Sequence, residues 1–232
     1  MIDWHSHVLP GVDDGSQDVA ESLAMIQMQA LQGVDIVIAT PHFYANDESV
    51  DMFLSRRQRA FERLKEALPE QAPEIILGAE VCYYPGISRL PELKQLRIGE
   101  TRLLLLEMPM CKWTEYMVRE LVELSGMSGI KIILAHIDRY LQLQSRKVWE
   151  RIFESGIYIQ VNASFFHSLG SRHKAFSLLK KGNIHFVGSD CHNLTSRSPK
   201  IGKAFAIIEK RLGKQYIGQI IEYGYNVLEE ER

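Results

Sequence analysis

The chain reads as an α/β protein built as a closed or nearly closed (β/α) barrel, and three observations predict this. Short apolar runs alternate with longer amphipathic stretches along all 232 residues. There are about seven such runs, mostly β-branched or leucine-rich, as expected of strands buried on both faces of a parallel sheet. An open doubly wound sheet is the alternative, but it usually carries a G-x-G-x-x-G loop after its first strand. This chain has "HSHVLPGVDDG" there.

The elements follow in order. Ile2–Trp4 is the first strand run. Val19–Leu31 is helical, with a polar start at Ser16 and Asp18 and a stop at Gly33. Val34–Ala39 is the second strand run. Ser49–Leu68 is a helix whose apolar residues are Met52, Phe53, Phe61, Leu64 and Leu68. Ile75–Ala79, Leu103–Leu106, Ile130–Ala135, Ile157–Val161 and Ile184–Val187 supply the remaining strands. Shorter helices fall at Tyr116–Leu124 and Val148–Phe153, and two more at Ile201–Leu212 and Tyr216–Tyr223. The intervening Phe43–Asp47, Tyr83–Arg89, Met110–Tyr116 and Ser164–His173 read as rim loops.

Bulk properties narrow the field. Hydrophobic content is 46% and charged content 24%, which fits one soluble globular domain over 1–232. A net charge of −2 gives no electrostatic support to nucleic-acid binding. "MIDWHSH" has no basic n-region, and no apolar run approaches the roughly 20 residues that span a bilayer. Cys82, Cys111 and Cys191 are odd in number and far apart, so they read as free thiols in a reducing cytoplasm.

The residues that end the runs carry the chemistry. His5 and His7 follow the first, His42 the second, Glu80 the third and Glu107 the fourth. His136 follows the fifth, Asn162 the sixth, and Asp190 and His192 the seventh. In a parallel barrel those ends share one rim. His5 and His7 are two residues apart, so on an extended strand they point the same way. Asp190 and His192 repeat that spacing, and Asp14 can fold back from its loop. Nine nitrogen and oxygen donors exceed the needs of one ion. They suit two or three divalent ions, with Mn²⁺, Fe²⁺ or Zn²⁺ favoured by mixed imidazole and carboxylate ligation. A single strand-end histidine is more often structural than a ligand; the conjunction over six runs is the signal. His167 and His173 lie in a polar stretch and read as exposed, while His185, inside the last run, reads as structural.

Two arginines follow the ligands. Arg139 is three residues after His136, and Arg197 five after His192. Beside a multi-metal rim they suggest a phosphate clamp, because a guanidinium grips phosphoryl oxygens with a planar fork. "CHNLTSRS" also fits C-x₅-R-S, the pattern of cysteine-dependent phosphatases. That loop needs backbone N–H groups in a tight turn, and the five residues between Cys191 and Arg197 contain no glycine.

"DWHSH", His42, Glu80, Glu107, "AHIDR" and "SDCH" together resemble the PHP (polymerase and histidinol phosphatase) superfamily. The longer opening "DWHSHVLPGVDDGSQDVAESLAM" resembles one branch of it. That branch is the CpsB-type, manganese-dependent protein-tyrosine phosphatases of bacterial capsule and exopolysaccharide operons. The resemblance covers essentially the whole chain. It implies a distorted (β/α)7 TIM-like barrel with three metal ions, Mn²⁺ first and Fe²⁺, Zn²⁺, Co²⁺ or Mg²⁺ as substitutes. It implies that His5, His7, Asp14, His42, Glu80, Glu107, His136, Asp190 and His192 are the ligands. Arg139 and Arg197 become the catalytic, phosphate-binding pair. The implied substrate is the phosphorylated tail of a membrane-associated tyrosine kinase that controls polysaccharide export, attacked by a metal-bridging hydroxide. "HIDR" departs from the family's His-Pro-Glu-Arg but keeps the arginine. The rival substrates are a small phosphomonoester such as histidinol phosphate and, with less support from charge, a nucleic acid.

Overall fold

The computed structural model describes residues 1–232. Its strands are β1 (Ile2–Ser6), β2 (Ile36–Ala39), β3 (His42–Phe43), β4 (Glu74–Leu77), β5 (Glu80–Cys82), β6 (Leu103–Glu107), β7 (Lys131–Leu134), β8 (Tyr158–Asn162) and β9 (Phe186–Gly188). Its helices are α1 (Val19–Ala30), α2 (Val50–Ala67), α3 (Glu115–Ser125), α4 (Arg146–Phe153), α5 (Leu169–Lys180), α6 (Ile201–Leu212) and α7 (Lys214–Glu230). Every strand pairing is parallel, in the orders β1-β2-β4 and β3-β5-β6-β7-β8-β9.

All seven apolar runs are strands. β3 and β5 are additional, and they arise from interruptions. Thr40-Pro41 separates β2 from β3, and Gly78-Ala79 separates β4 from β5. Pro41 has no N–H to give a ladder. The second half of each interrupted strand passes into the larger sheet, where His42 pairs with Glu80 and Cys82 with Glu107. The sheet curls far enough that the segment after β9 meets β1. Asp190 N–H donates to the His5 carbonyl at 2.8 Å, and His7 N–H donates to the Cys191 carbonyl at 3.0 Å. The fold is thus α/β with a curled parallel sheet.

Both faces of the sheet are dry, which explains the near-continuous apolar runs. Leu103, Leu105 and Ile133 join Ile2, Trp4, Ile38 and Phe186 in a small cluster that Val227 and Leu228 of α7 complete. Trp4 stacks on Phe186 with ring centroids 3.9 Å apart. The alternate residues Leu104, Leu106, Ile132 and Leu134 face the larger core under the helices. Side-chain caps start the helices where polar residues precede them. Asp18 accepts from Glu21 N–H, Ser49 from Met52 N–H and Ser145 from Val148 N–H.

Two helices depart from expectation. α7 runs well past Tyr223. α5 occupies much of the Ser164–His173 stretch that reads as a loop, preceded by a 3₁₀ turn over Ala163–Phe166. Only Ala175, Phe176 and Leu179 of α5 are buried, so its apolar stripe is too short to stand out in the sequence.

Candidate metal centre

The ends of the strands converge as the barrel logic requires. Glu80, at the start of β5, is the hub. Its Oε2 lies 3.1 Å from His5 Nε2, 3.3 Å from His7 Nε2 and 3.0 Å from His42 Nδ1. Its Oε1 lies 2.7 Å from His136 Nε2, which is also 3.4 Å from Glu107 Oε1. Asp190 Oδ1 sits 3.8 Å from His5 Nε2, 3.6 Å from His7 Nε2 and 3.6 Å from His192 Nδ1. Asp14, on its exposed loop, reaches His192 Nε2 at 3.3 Å and His42 Nε2 at 3.5 Å. All nine expected residues therefore fall into overlapping groups of donor atoms within 4.8 Å of one another.

The backbone works to make this convergence. β1 carries a register shift against β2 between Asp3 and Ser6, the stretch that holds His5. His136 (φ 30°) and Asp190 (φ 51°) are the two non-glycine residues with left-handed backbone. Such strain persists where surrounding structure over-determines it, commonly at functional sites. Asp190 and His192 consequently do not converge by strand alternation, as their spacing predicts. They converge through the left-handed turn at Asp190.

The donor set fits divalent cations. His42 Nδ1 and His192 Nε2, which face the carboxylates of Glu80 and Asp14, are buried without a hydrogen bond. The Nε2 atoms of His5 and His7 face each other at 3.0 Å, where two neutral rings make at best one hydrogen bond. Three of the four carboxylates crowd within reach of these rings in the buried interior, a charge density that bound cations would balance.

The electrostatics follow from burial and pairing. Burial opposes ionisation of Glu80, yet His5, His136 and His7 hold it well below the usual carboxylate range. Burial likewise opposes charge on Asp190, and His5 and Arg139 overcome it. Burial works against protonated His7, but hydrogen bonds to Asp13 and Glu80 push its pKa up to about 10. His136 rises to about 9, against burial, through Glu107 and Glu80. His192 moves the other way, to about 3, by burial and by the neighbouring His7 and Arg197.

Sequence reasoning did not identify the supporting residues. Asp13 Oδ2 accepts from His7 Nδ1 at 2.6 Å and from His42 N–H at 2.9 Å, fixing the His7 ring. Asp3 accepts from Ser189 N–H at 2.7 Å and Gln29 Nε2 at 2.7 Å, tying β1 to the last strand. Gln160 Oε1 accepts from His136 N–H at 2.5 Å, and Asn162 Nδ2 donates to Asp190 Oδ2 at 2.8 Å. Asp13 adjoins Asp14 in one "DDG", and spacing alone cannot say which carboxylate faces the cluster. Only the polar end of the β8 run, "QVN", hinted at the other pair.

Both arginines reach the rim. Arg139 pairs with Asp190 and lies 4.0 Å from Glu107, while Arg197 donates to Asp190 Oδ1 at 2.7 Å. They line a cavity of ≈ 380 Å³ with Ser164, Ser196 and Lys200. Cys191 is 1% exposed, and burial beside Asp3 pushes its thiol up, so it offers no thiolate. His173 is exposed. His167, expected to be exposed, is half-buried and lines the arginine cavity. His185 is structural, accepting from Ile159 N–H at 2.9 Å.

Known proteins share this architecture. "Tyrosine-protein phosphatase CpsB" of Streptococcus agalactiae serotype III (strain NEM316) is 32% identical, covering 98% of each chain. "Tyrosine-protein phosphatase YwqE" of Bacillus subtilis (strain 168) is 30% identical, covering 93% of this chain and 86% of its own. The crystal structures described as "YwqE from Bacillus subtilis and CpsB from Streptococcus pneumoniae, unique metal-dependent tyrosine phosphatases" superpose with a TM-score of 0.84 at 23% identity. They cover 100% of this chain and 96% of the matched one. Residues 1–228 match the family described as "Capsular polysaccharide synthesis, CpsB/CapC". The chain belongs to the CpsB/CapC family.

Proposed function

We propose that this chain is a metal-dependent protein-tyrosine phosphatase (EC 3.1.3.48) acting on a phosphorylated tyrosine kinase of capsule or exopolysaccharide synthesis. The observation that carries the reading is the nine-residue nitrogen and oxygen cluster with two guanidiniums at its edge. The full-length relatives named as tyrosine phosphatases support it. Parallel strands curled from β1 round to the residues after β9 support a distorted (β/α)7 barrel in one domain. His5, His7, Asp14, His42, Glu80, Glu107, His136, Asp190 and His192 would hold two or three Mn²⁺ ions. When bound, such ions polarise the phosphoryl group and make a water nucleophilic near neutral pH.

The chain's own groups do the rest. Arg139 and Arg197 hold the non-bridging oxygens as charge spreads over them. Asn162 and the two arginines orient Asp190, and Asp13 holds His7 with Nε2 toward the cluster. A tyrosine leaving oxygen has a pKa near ~10, so it departs without a strong acid from the protein. No phosphoenzyme forms, because the one candidate thiol is buried. No helix is long and apolar enough to cross a membrane. With unpaired cysteines, this supports a cytoplasmic enzyme meeting its kinase at the membrane face.

The test is turnover of a phosphotyrosine peptide and of histidinol phosphate, with Mn²⁺ and with chelator. Mn²⁺-dependent preference for the peptide is expected, with loss in His136→Ala and survival in Cys191→Ser. Preference for histidinol phosphate would overturn the substrate, and survival of turnover in chelator would overturn the chemistry.

A further inference from the structure

The arginine cavity does not end at the phosphate clamp. A second cavity of ≈ 280 Å³ shares Asp138 and Ser164 with it and continues along α5 past Ser171 to Lys174. Lys200 stands in the first cavity and Lys174 in the second. Both lysines are exposed, and neither forms an ion pair. The one acidic residue common to both cavities, Asp138, is turned to the backbone, accepting from Asn162 N–H at 2.9 Å. Arg172 adds charge behind the wall, its guanidinium donating to the carbonyls of Phe166 and His167 at 2.8 Å each. His167 Nε2 is buried in the same wall without a partner.

The other flank of the mouth differs. There Tyr44 stacks on His42 with ring centroids 5.3 Å apart. The lysines thus lie along a lined channel on one side of the site, and an aromatic ring stands on the other.

We propose that this channel binds the peptide on one side of the phosphotyrosine and selects acidic residues there, with Lys200 and Lys174 as the reading groups. The proposal rests on the phosphatase reading above and deepens it. A carboxylate one or two residues from the phosphotyrosine faces Lys200, and one farther along faces Lys174. Ser164 and Ser171 line the channel between them. Because both lysines are solvated, selection is modest and depends on ionic strength. It appears in KM, since neither lysine touches the reacting phosphorus.

The experiment uses the full Mn²⁺-loaded chain and three phosphotyrosine peptides of one length, flanked by Glu, Gln or Lys. Two exposed pairs predict kcat/KM about three- to ten-fold higher for the Glu peptide than for the Gln peptide, carried by KM. The preference shrinks on going from about 0.05 M to about 0.3 M salt. Lys174→Glu weakens the preference and the double variant with Lys200→Glu reverses it, while Lys174→Arg retains it. Equal kcat/KM for the three peptides, or a preference untouched by charge reversal, overturns the channel and leaves the phosphatase reading standing. Absence of Mn²⁺-dependent turnover of p-nitrophenyl phosphate and of every peptide overturns the phosphatase reading, and the channel with it.

Discussion

At the scale of single residues, the site depends on side chains that never touch the substrate. Asp13 is the clearest. It holds His7 at 2.6 Å and the His42 backbone at 2.9 Å, so it orients two members of the cluster at once. Asp13→Ala is expected to weaken Mn²⁺ binding by about 10- to 100-fold, measured by calorimetric titration, with little change in the circular dichroism of the folded protein. Unchanged affinity would show that His7 needs no orienting partner. His185 illustrates the opposite case, an imidazole with a purely structural bond. Burial lowers its pKa from 6.5 to about 4. Below pH 6.5 the unfolded chain takes up a proton that folded His185 refuses. Its contribution is thus complete above that pH and is lost as pH falls toward about 4. Over that window the metal-free protein should lose about 1–3 kcal/mol more than His185→Asn, measured by urea unfolding against pH. Parallel pH profiles for the two proteins would remove the argument.

At the scale of elements, two glycines allow strands and loops to approach the ligands. At Gly188 a Cβ would lie 2.6 Å from His5 Cβ and 2.8 Å from Gln160 Nε2, so β9 closes on β1 only without a side chain. At Gly15 a Cβ would collide with His7, so the loop bearing Asp13 and Asp14 could not fold back. Gly188→Ala should cost about 1–3 kcal/mol and lower the Tm by several degrees. It should also weaken metal binding, because β1 carries His5 and β9 leads directly into Asp190. A Gly188→Ala protein with wild-type Tm and Mn²⁺ affinity would show that this junction is loose. Helix α5 teaches the complementary lesson. Its three buried residues make a stripe too brief to read, yet it walls the channel beside the arginines.

At the scale of the whole molecule, folding and metal binding are coupled. Six separate stretches of chain, from His5 to His192, supply the donors, and two of the ring nitrogens that face the cluster, His42 Nδ1 and His192 Nε2, are buried without hydrogen bonds. Cations that bind only the folded state stabilise it by mass action, by about 2.7 kcal/mol at a free concentration one hundred times Kd. Adding Mn²⁺ should raise the Tm by several degrees, and EDTA should reverse this. A Tm indifferent to both would mean that the cluster is an apo structure stabilised by its own ion pairs.

The strands, most helices and the eight histidines and carboxylates at strand ends were legible in the sequence, because strand burial and rim chemistry both leave local marks. Apolar runs such as Leu103–Leu106 announce a sheet covered on both sides, and a histidine or carboxylate directly after a run announces a rim. Tertiary structure alone revealed that Asp13, beside the expected donor Asp14, orients His7 and the His42 backbone. It also decided that Asp190 turns left-handed to meet His192, and that β2 and β4 break so that His42 pairs with Glu80. Those choices are made by contacts between residues distant in the chain, where close packing and hydrogen bonds from other elements override the preference of the local backbone.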